Sequence, residues 1–191
     1  GQRMNTFVDE NVYGSLGLGT MTYLPLEKYS QNQIVPSGYD SYFRKSDLQG
    51  YVHDYAAGLI GGVSGHAGVF SNANDIAVLM QMFLQDGLYA GKRYFEPSLI
   101  KTFTQTQFTG NRRGLGWDKP RLGERVTISK AASANTFGHT GFTGGCVWVD
   151  PDEELIYIFL SNRTYPDYKN RKLISSKTRL KIQDLIYQAL K

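Results

Sequence analysis

The sequence contains a single cysteine, Cys146, and only three histidines. An internal disulfide is therefore impossible, and no zinc site can rest on thiolates. His53, His66 and His139 lack helical i, i+4 spacing and any accompanying carboxylate pattern, so neither a metal nor another cofactor is expected. No apolar run approaches the length of a membrane span. The opening residues form no secretory leader, and Gly1 stands where an initiating Met would, which reads as the start of a segment from a longer protein.

Charge is also sparse. Only 20% of residues are charged, and the net charge is +4. The densest basic stretch, Arg112, Arg113, Lys119, Arg121 and Arg125, is broken by Gly, Trp, Pro and Glu. It reads as a solvated loop, without the clustered footprint of a nucleic-acid binder. Internal repeats and low-complexity tracts are absent, so residues 1–191 read as one unit.

What is present is an ordinary apolar content of 41% and an unusual aromatic content of 13%, led by 13 tyrosines. Tyrosines line sugar or peptide clefts, but they serve equally well as half-buried packing, the simpler reading here. Residues 1–70 are rich in Gly, Tyr, Ser and Asn and predict long loops and short turns around a cleft. Residues 71–191 should supply helices, a hairpin sheet and a C-terminal helix.

Ser71 is placed to cap a helix in which Ile76, Leu79, Met80, Phe83 and Leu84 share one face, ending at Gly87. A shorter helix is expected over residues 97–103, with Pro97 in its first turn. Residues 145–150 and 155–161 predict two strands joined by Asp150-Pro151-Asp152-Glu153 as a tight hairpin turn. Leu155 to Leu160 is apolar at every position, which predicts a strand in the middle of a sheet with cover on both faces. Leu173, Ile174, Leu180, Leu185, Ile186 and Leu190 make an apolar stripe for a final helix over 171–190. The fold class is α+β, an antiparallel sheet flanked by helices.

Three segments carry chemistry. The first is Val52-His53-Asp54 followed by paired alanines. The second is Gly61-Gly62-Val63-Ser64-Gly65-His66-Ala67-Gly68-Val69-Phe70. A nucleophile elbow would need Gly two residues after Ser64, and His66 stands there, so this reads as a tight glycine loop. The third is Phe137-Gly138-His139-Thr140-Gly141-Phe142, leading into the first hairpin strand.

Together these segments resemble the serine β-lactamase and penicillin-binding-protein family, more narrowly its class C-type, esterase-like branch, over most of residues 5–165. The resemblance implies a β-lactamase/transpeptidase-like fold and acyl-transfer hydrolysis of ester, amide or peptidoglycan-type substrates. It also implies a periplasmic or cell-envelope location. His139-Thr140-Gly141 looks like the family's third motif, a Lys or His, then Thr or Ser, then Gly, at the start of a strand facing the active site. By that resemblance His139, Thr140 and Gly141 form a cleft wall, the Phe142 N–H is an oxyanion donor, and His53, Asp54 and His66 are further cleft candidates. A histidine at the first position is a weaker carboxylate anchor than lysine, which favours substrates other than penicillins.

The family's Ser-x-x-Lys nucleophile motif and its Tyr-containing second motif normally precede the region that this chain resembles. Ser98-Leu99-Ile100-Lys101 and Tyr168-Lys169-Asn170 match those patterns by chance frequency. Tyr168 also falls after His139, against the family order. The expectation is therefore a C-terminal portion whose N-terminal strands and nucleophile helix belong to a missing segment, and which is inactive alone. An uncovered sheet edge would favour that segment, a homodimer or strand exchange as partner. The competing reading is a non-catalytic module that binds a glycan or peptide within a larger cell-envelope enzyme such as a glycoside hydrolase.

Overall fold

In the computed structural model, residues 1–120 and 127–191 are described, so Arg121 and Arg125 of the basic stretch lie outside the described residues. The chain divides into two compact units, one built from residues 1–76 and 160–172, the other from 77–159 and 173–191.

The first unit opens with helix α1 (Met4–Val8), a wider π-helical turn (Asp9–Tyr13) and α2 (Gly14–Leu16). Two short 3-10 turns, a small hairpin of β1 (Gly38–Asp40) and β2 (Ser46–Leu48), and helix α3 (Tyr55–Leu59) follow. The expected long loops are thus interrupted by helix at the start. Val8, Val12 and Leu16 share one helical face there, and Tyr13 and Leu16 are buried. Leu18, Met21, Leu48, Val52 and Ala57 extend the core.

Buried polar side chains hold the loops where regular ladders are few. Asp40, almost fully buried, accepts from the backbone N–H groups of Tyr42, Phe43 and Arg44 and from Arg44 Nε at 2.6 Å. Arg44 then donates to the carbonyls of Val52, at 2.7 Å, and His53, at 3.3 Å. Burial opposes ionisation of Asp40, but Arg44 and the three N–H donors outweigh it and hold the carboxyl well below its ordinary range. Asp75 accepts from Thr20 N and Oγ1 and from Met21 N, fixing that loop to the start of α4 (Ala73–Leu84).

The cap of α4 is Asn72, whose Oδ1 accepts from Asp75 N at 2.9 Å; Ser71, the expected cap, lies one residue further out. The chain turns at Gly87 as expected, with its N–H bonded to Met82 O.

The second unit carries the remainder of α4, a two-stranded ribbon of β3 (Leu88–Tyr89) and β4 (Lys92–Arg93), and helix α5 (Pro97–Thr104). An antiparallel sheet of β5 (Phe137–Thr140), β6 (Cys146–Asp150) and β7 (Leu155–Phe159) follows, in the order β5-β6-β7. The predicted hairpin is β6–β7, in register from Cys146↔Phe159 to Asp150↔Leu155. One face buries Cys146, Trp148 and Tyr157 with Ile128, against which Phe159 and Ile186 pack. Phe83, Trp117 and Phe137 form an edge-to-face cluster, with centroids 5.2–5.3 Å apart for the two closest pairs.

Two readings need correction. β7 is an outer strand among the described residues, whereas its all-apolar run predicted a central one. Such a run reports cover above and below and carries no information on lateral neighbours; Tyr157 is buried and its strand neighbours are half-buried. The final helix is two pieces, α6 (Lys172–Ser175) and α7 (Thr178–Ala189), broken at Lys177 with φ 53°. Ile174, Leu185 and Leu190 are consequently exposed. The face of α7 that packs is Gln183, Ile186 and Tyr187, because polar tips reach buried partners: Ser129 N donates to Gln183 Oε1, and Tyr187 Oη donates to Asp150 Oδ2.

Candidate functional site

In the second unit, β5 is an edge strand whose start is forced by packing. A Cβ on Gly138 would lie 2.1 Å from the Val147 carbonyl oxygen and 2.6 Å from Trp148, so only glycine allows this approach. The ladder ends at Thr140↔Cys146. Beyond it, Gly141 N–H donates to Gly145 O at 2.8 Å and Gly144 N–H to Gly141 O, closing a turn over 141–144 that carries the exposed Phe142 side chain. His139 is exposed and Thr140 half-buried. His139, Thr140, Gly141 and Phe142 thus lie in sequence along the strand end and its turn.

A residue that the sequence reading set aside completes this corner. Arg113 Nη1 lies 3.3 Å from His139 Nε2, and His139 Nδ1 lies 2.8 Å from Thr140 O. A guanidinium only donates, so Nε2 accepts there and Nδ1 carries the proton donated to the carbonyl. The contact thus sets a guanidinium against one ring nitrogen and a backbone carbonyl against the other. Asp118 holds the Arg113 loop in place. Its backbone pairs with Gly138 in both directions, at 2.7 and 3.0 Å, and its carboxylate takes Arg112 Nε at 2.6 Å and Nη2 at 3.0 Å. Burial works against the Asp118 charge, but the Arg112 pair prevails and keeps its pKa below the ordinary carboxylate value. The sequence signal was the Arg112-Arg113 pair just before Gly114-Leu115-Gly116-Trp117; its interruption by glycines made it look merely solvated.

In the first unit, two of the remaining candidates meet directly. Asp54 caps α3, with Oδ1 accepting from Ala57 N at 2.8 Å, and the same oxygen lies 2.9 Å from His66 Nε2. The Ala57 N–H first, and His66 second, lower the Asp54 pKa. His66 Nδ1 lies 2.7 Å from Ser64 Oγ. His53 is half-buried beside Arg44, and burial followed by the Arg44 charge lowers its pKa, which leaves a neutral ring.

Ser98 and Lys101 are exposed on α5, and no hydrogen bond joins their side chains among the described residues. No cluster of three or more metal-ligating side chains occurs among the described residues. Among the described residues no helix is long and apolar enough to cross a membrane.

Comparison with solved structures gives the fold class. The chain superposes on a β-lactamase from Mycobacterium bovis with a TM-score of 0.64 at 20% identity, covering 98% of this chain and 57% of that one. It also superposes on a penicillin-binding-protein homologue from Caulobacter crescentus with a TM-score of 0.54 at 17% identity, covering 84% of this chain and 47% of the other. The fold is therefore β-lactamase/transpeptidase-like.

The family-model match for Beta-lactamase runs over residues 1–176, so the chain belongs to the beta-lactamase family. A protein of Escherichia coli K12, provisionally named as a D-alanyl-D-alanine carboxypeptidase, is 36% identical over 181 residues, 86% of this chain and 41% of that protein. A similarly named protein of Salmonella agona is 33% identical over 98% of this chain and 49% of its own length. The chain thus spans less than half the length of these curated relatives.

Proposed function

We propose that this chain is the C-terminal part of one serine-hydrolase domain that acts on ester, amide or peptidoglycan-type acyl substrates in the bacterial periplasm or cell envelope. The observation that carries this reading is the His139-Thr140-Gly141-Phe142 run at the end of β5 and in the turn that follows it. It offers an exposed imidazole, a hydroxyl and a glycine-opened backbone in consecutive positions. A developing oxyanion needs fixed N–H donors that a substrate carbonyl can approach, and the N–H of Phe142 would be one of them.

Ser-x-x-Lys, the nucleophile motif that the family resemblance requires, would come from the segment preceding residue 1 in the parent domain. That segment would also pair with the outer edge of β7; failing that, a second copy of the chain would. The sheet edge is the feature that favours such a partner. The 191-residue chain alone should therefore leave a chromogenic cephalosporin and a D-alanyl-D-alanine peptide unchanged. Saturable ring opening or release of D-alanine by the purified chain, abolished by Ser98→Ala, would contradict this reading.

One observation favours a second reading, a glycan-binding module. Tyr42 is 81% exposed and Tyr55 39% exposed, with ring centroids 6.0 Å apart. The two rings are tilted 46° to each other and offer apolar faces with a hydroxyl at the rim to a ligand. Calorimetric titration with muropeptides separates the two: binding lost in Tyr42→Ala, together with a parent protein inactive as a hydrolase, selects the module.

A further inference from the structure

The residue that spoils the elbow pattern around Ser64 is the residue its hydroxyl touches. Ser64 Oγ is 2.7 Å from His66 Nδ1, and His66 Nε2 is 2.9 Å from Asp54 Oδ1. The protons on this chain follow from the acceptor at its end. Asp54 is ionised and only accepts, so His66 Nε2 carries the proton shared with it. Nδ1 is then left with its lone pair, and the Ser64 hydroxyl donates to it. This is the proton order of a nucleophile, a general base and an orienting carboxylate, with the two ring nitrogens exchanged relative to the usual arrangement.

The surrounding loop is fixed and open in the places that matter. Tyr23 Oη donates to the Ser64 carbonyl at 3.0 Å, which pins the serine backbone. A Cβ on Gly68 would lie 2.3 Å from Gly62 O, so the two ends of the loop that carries Ser64 and His66 touch backbone to backbone. At Gly65 a Cβ would meet nothing within 4 Å. The N–H following a nucleophilic serine is a standard oxyanion donor, and no acceptor takes the Gly65 N–H among the described residues. An apolar cleft of about 260 Å³, lined by Leu24, Pro25, Val52, Gly62 and Phe70 among others, shares Gly61 and Gly62 with this loop, and Ser64 and His66 are not among its lining residues.

We propose that Ser64, His66 and Asp54 form an acyl-transfer centre for small activated esters. Ser64 Oγ attacks the ester carbonyl carbon while its proton passes to His66 Nδ1, and the tetrahedral oxyanion takes the Gly65 N–H. The carbon–oxygen bond to the leaving alcohol breaks, and that alcohol leaves with the proton from His66. Water then attacks the acyl-serine, gives a proton to His66, and releases the carboxylic acid as Ser64 recovers its hydrogen. Asp54 stays ionised throughout and pairs with the imidazolium. Because Ser64 is only 9% exposed, the centre should accept an acetyl ester and reject a long acyl chain.

The test uses the purified 191-residue chain with p-nitrophenyl acetate and p-nitrophenyl decanoate. Nitrophenolate release is followed, and the acid-quenched protein is mapped by peptide mass spectrometry. An acetyl group on Ser64 is expected, with acetate turned over faster than decanoate. Ser64→Ala should remove both the adduct and the release. His66→Gln should slow release by about 10²-fold or more, the usual contribution of a general base. Asp54→Asn retains an oxygen to cap α3, so it should slow the reaction at an unchanged melting temperature. Absence of an acyl group on Ser64 in the unaltered chain overturns the proposal, whatever the variants do. So does release that persists in Ser64→Ala, or an adduct confined to Ser98 or a lysine. The cephalosporin assay is independent of this outcome, because a Ser64 adduct forms or fails to form whether or not a β-lactam is opened.

Discussion

At the scale of single residues, the chain places its strongest polar contacts where its regular structure is thinnest. Asp40 and Arg44 tie the β1–β2 hairpin to the carbonyls of Val52 and His53, just before the Asp54 cap of α3. Removing one member of a buried pair leaves the other as an uncompensated charge, at about 3–5 kcal/mol. Arg44→Met should therefore lower the unfolding free energy of the chain by that amount at pH 7, measured by urea denaturation. Asp40 is held below its ordinary pKa when folded, so its contribution is present above the unfolded value and disappears as pH falls through the folded one. The deficit of Arg44→Met should accordingly shrink on acidification, as a protonated Asp40 no longer needs a partner. A deficit that stays constant from pH 7 into the acid range would show that the lost packing of the arginine stem, and not the charge, is responsible.

The residue scale is also where the sequence was hardest to read. His53, Asp54, His66 and the run from His139 to Phe142 became candidates through the family resemblance of the short segments that hold them. Arg113 was not legible, since its role depends on Asp118 bridging to Gly138 across 20 positions and on no local pattern. Residues 61–68 form the tight glycine loop read from the sequence, but the Ser64–His66 contact within it was not legible. The elbow template tests for glycine at the second position, and it has no term for a histidine there that turns back onto the serine.

At the scale of elements, periodic apolar patterns located α4, α5, β6 and β7 to within two or three residues. They failed where polar side chains take the inward positions. Tyr187 and Gln183 reach Asp150 and Ser129, and so α7 rotates relative to the stripe that leucines and isoleucines suggested. The resemblance put His139 at the start of a strand, whereas β5 opens at Phe137 and His139-Thr140 end it; Gly138 stands inside it because a backbone approach that close admits no side chain. Gly138→Ala should cost about 3 kcal/mol, the upper end for overpacking, since Val147 O belongs to the paired strand and cannot move aside cheaply. Thermal unfolding of the isolated chain checks this. An alanine variant with an unchanged melting temperature would mean that β5 and β6 separate more easily than their ladder implies.

At the scale of the whole molecule, the family and the α+β fold were legible from three short segments in the right order, and both are borne out by the Beta-lactamase match over residues 1–176. The sequence could not supply the lateral neighbour of β7, because a strand's own residues report what lies above and below it. The central claim is that the strand end at His139 is a wall of a hydrolase site. Its most direct test is the kcat/KM of His139→Ala in the complete parent domain, with this chain joined to the segment that precedes it. Loss of one polar contact to the transition state costs about 10²–10³ in rate. The account predicts a fall of that size at a nearly unchanged melting temperature. A kcat/KM within about threefold of the parent value, worth well under 1 kcal/mol, would contradict it and leave His139 as part of an ordinary strand end.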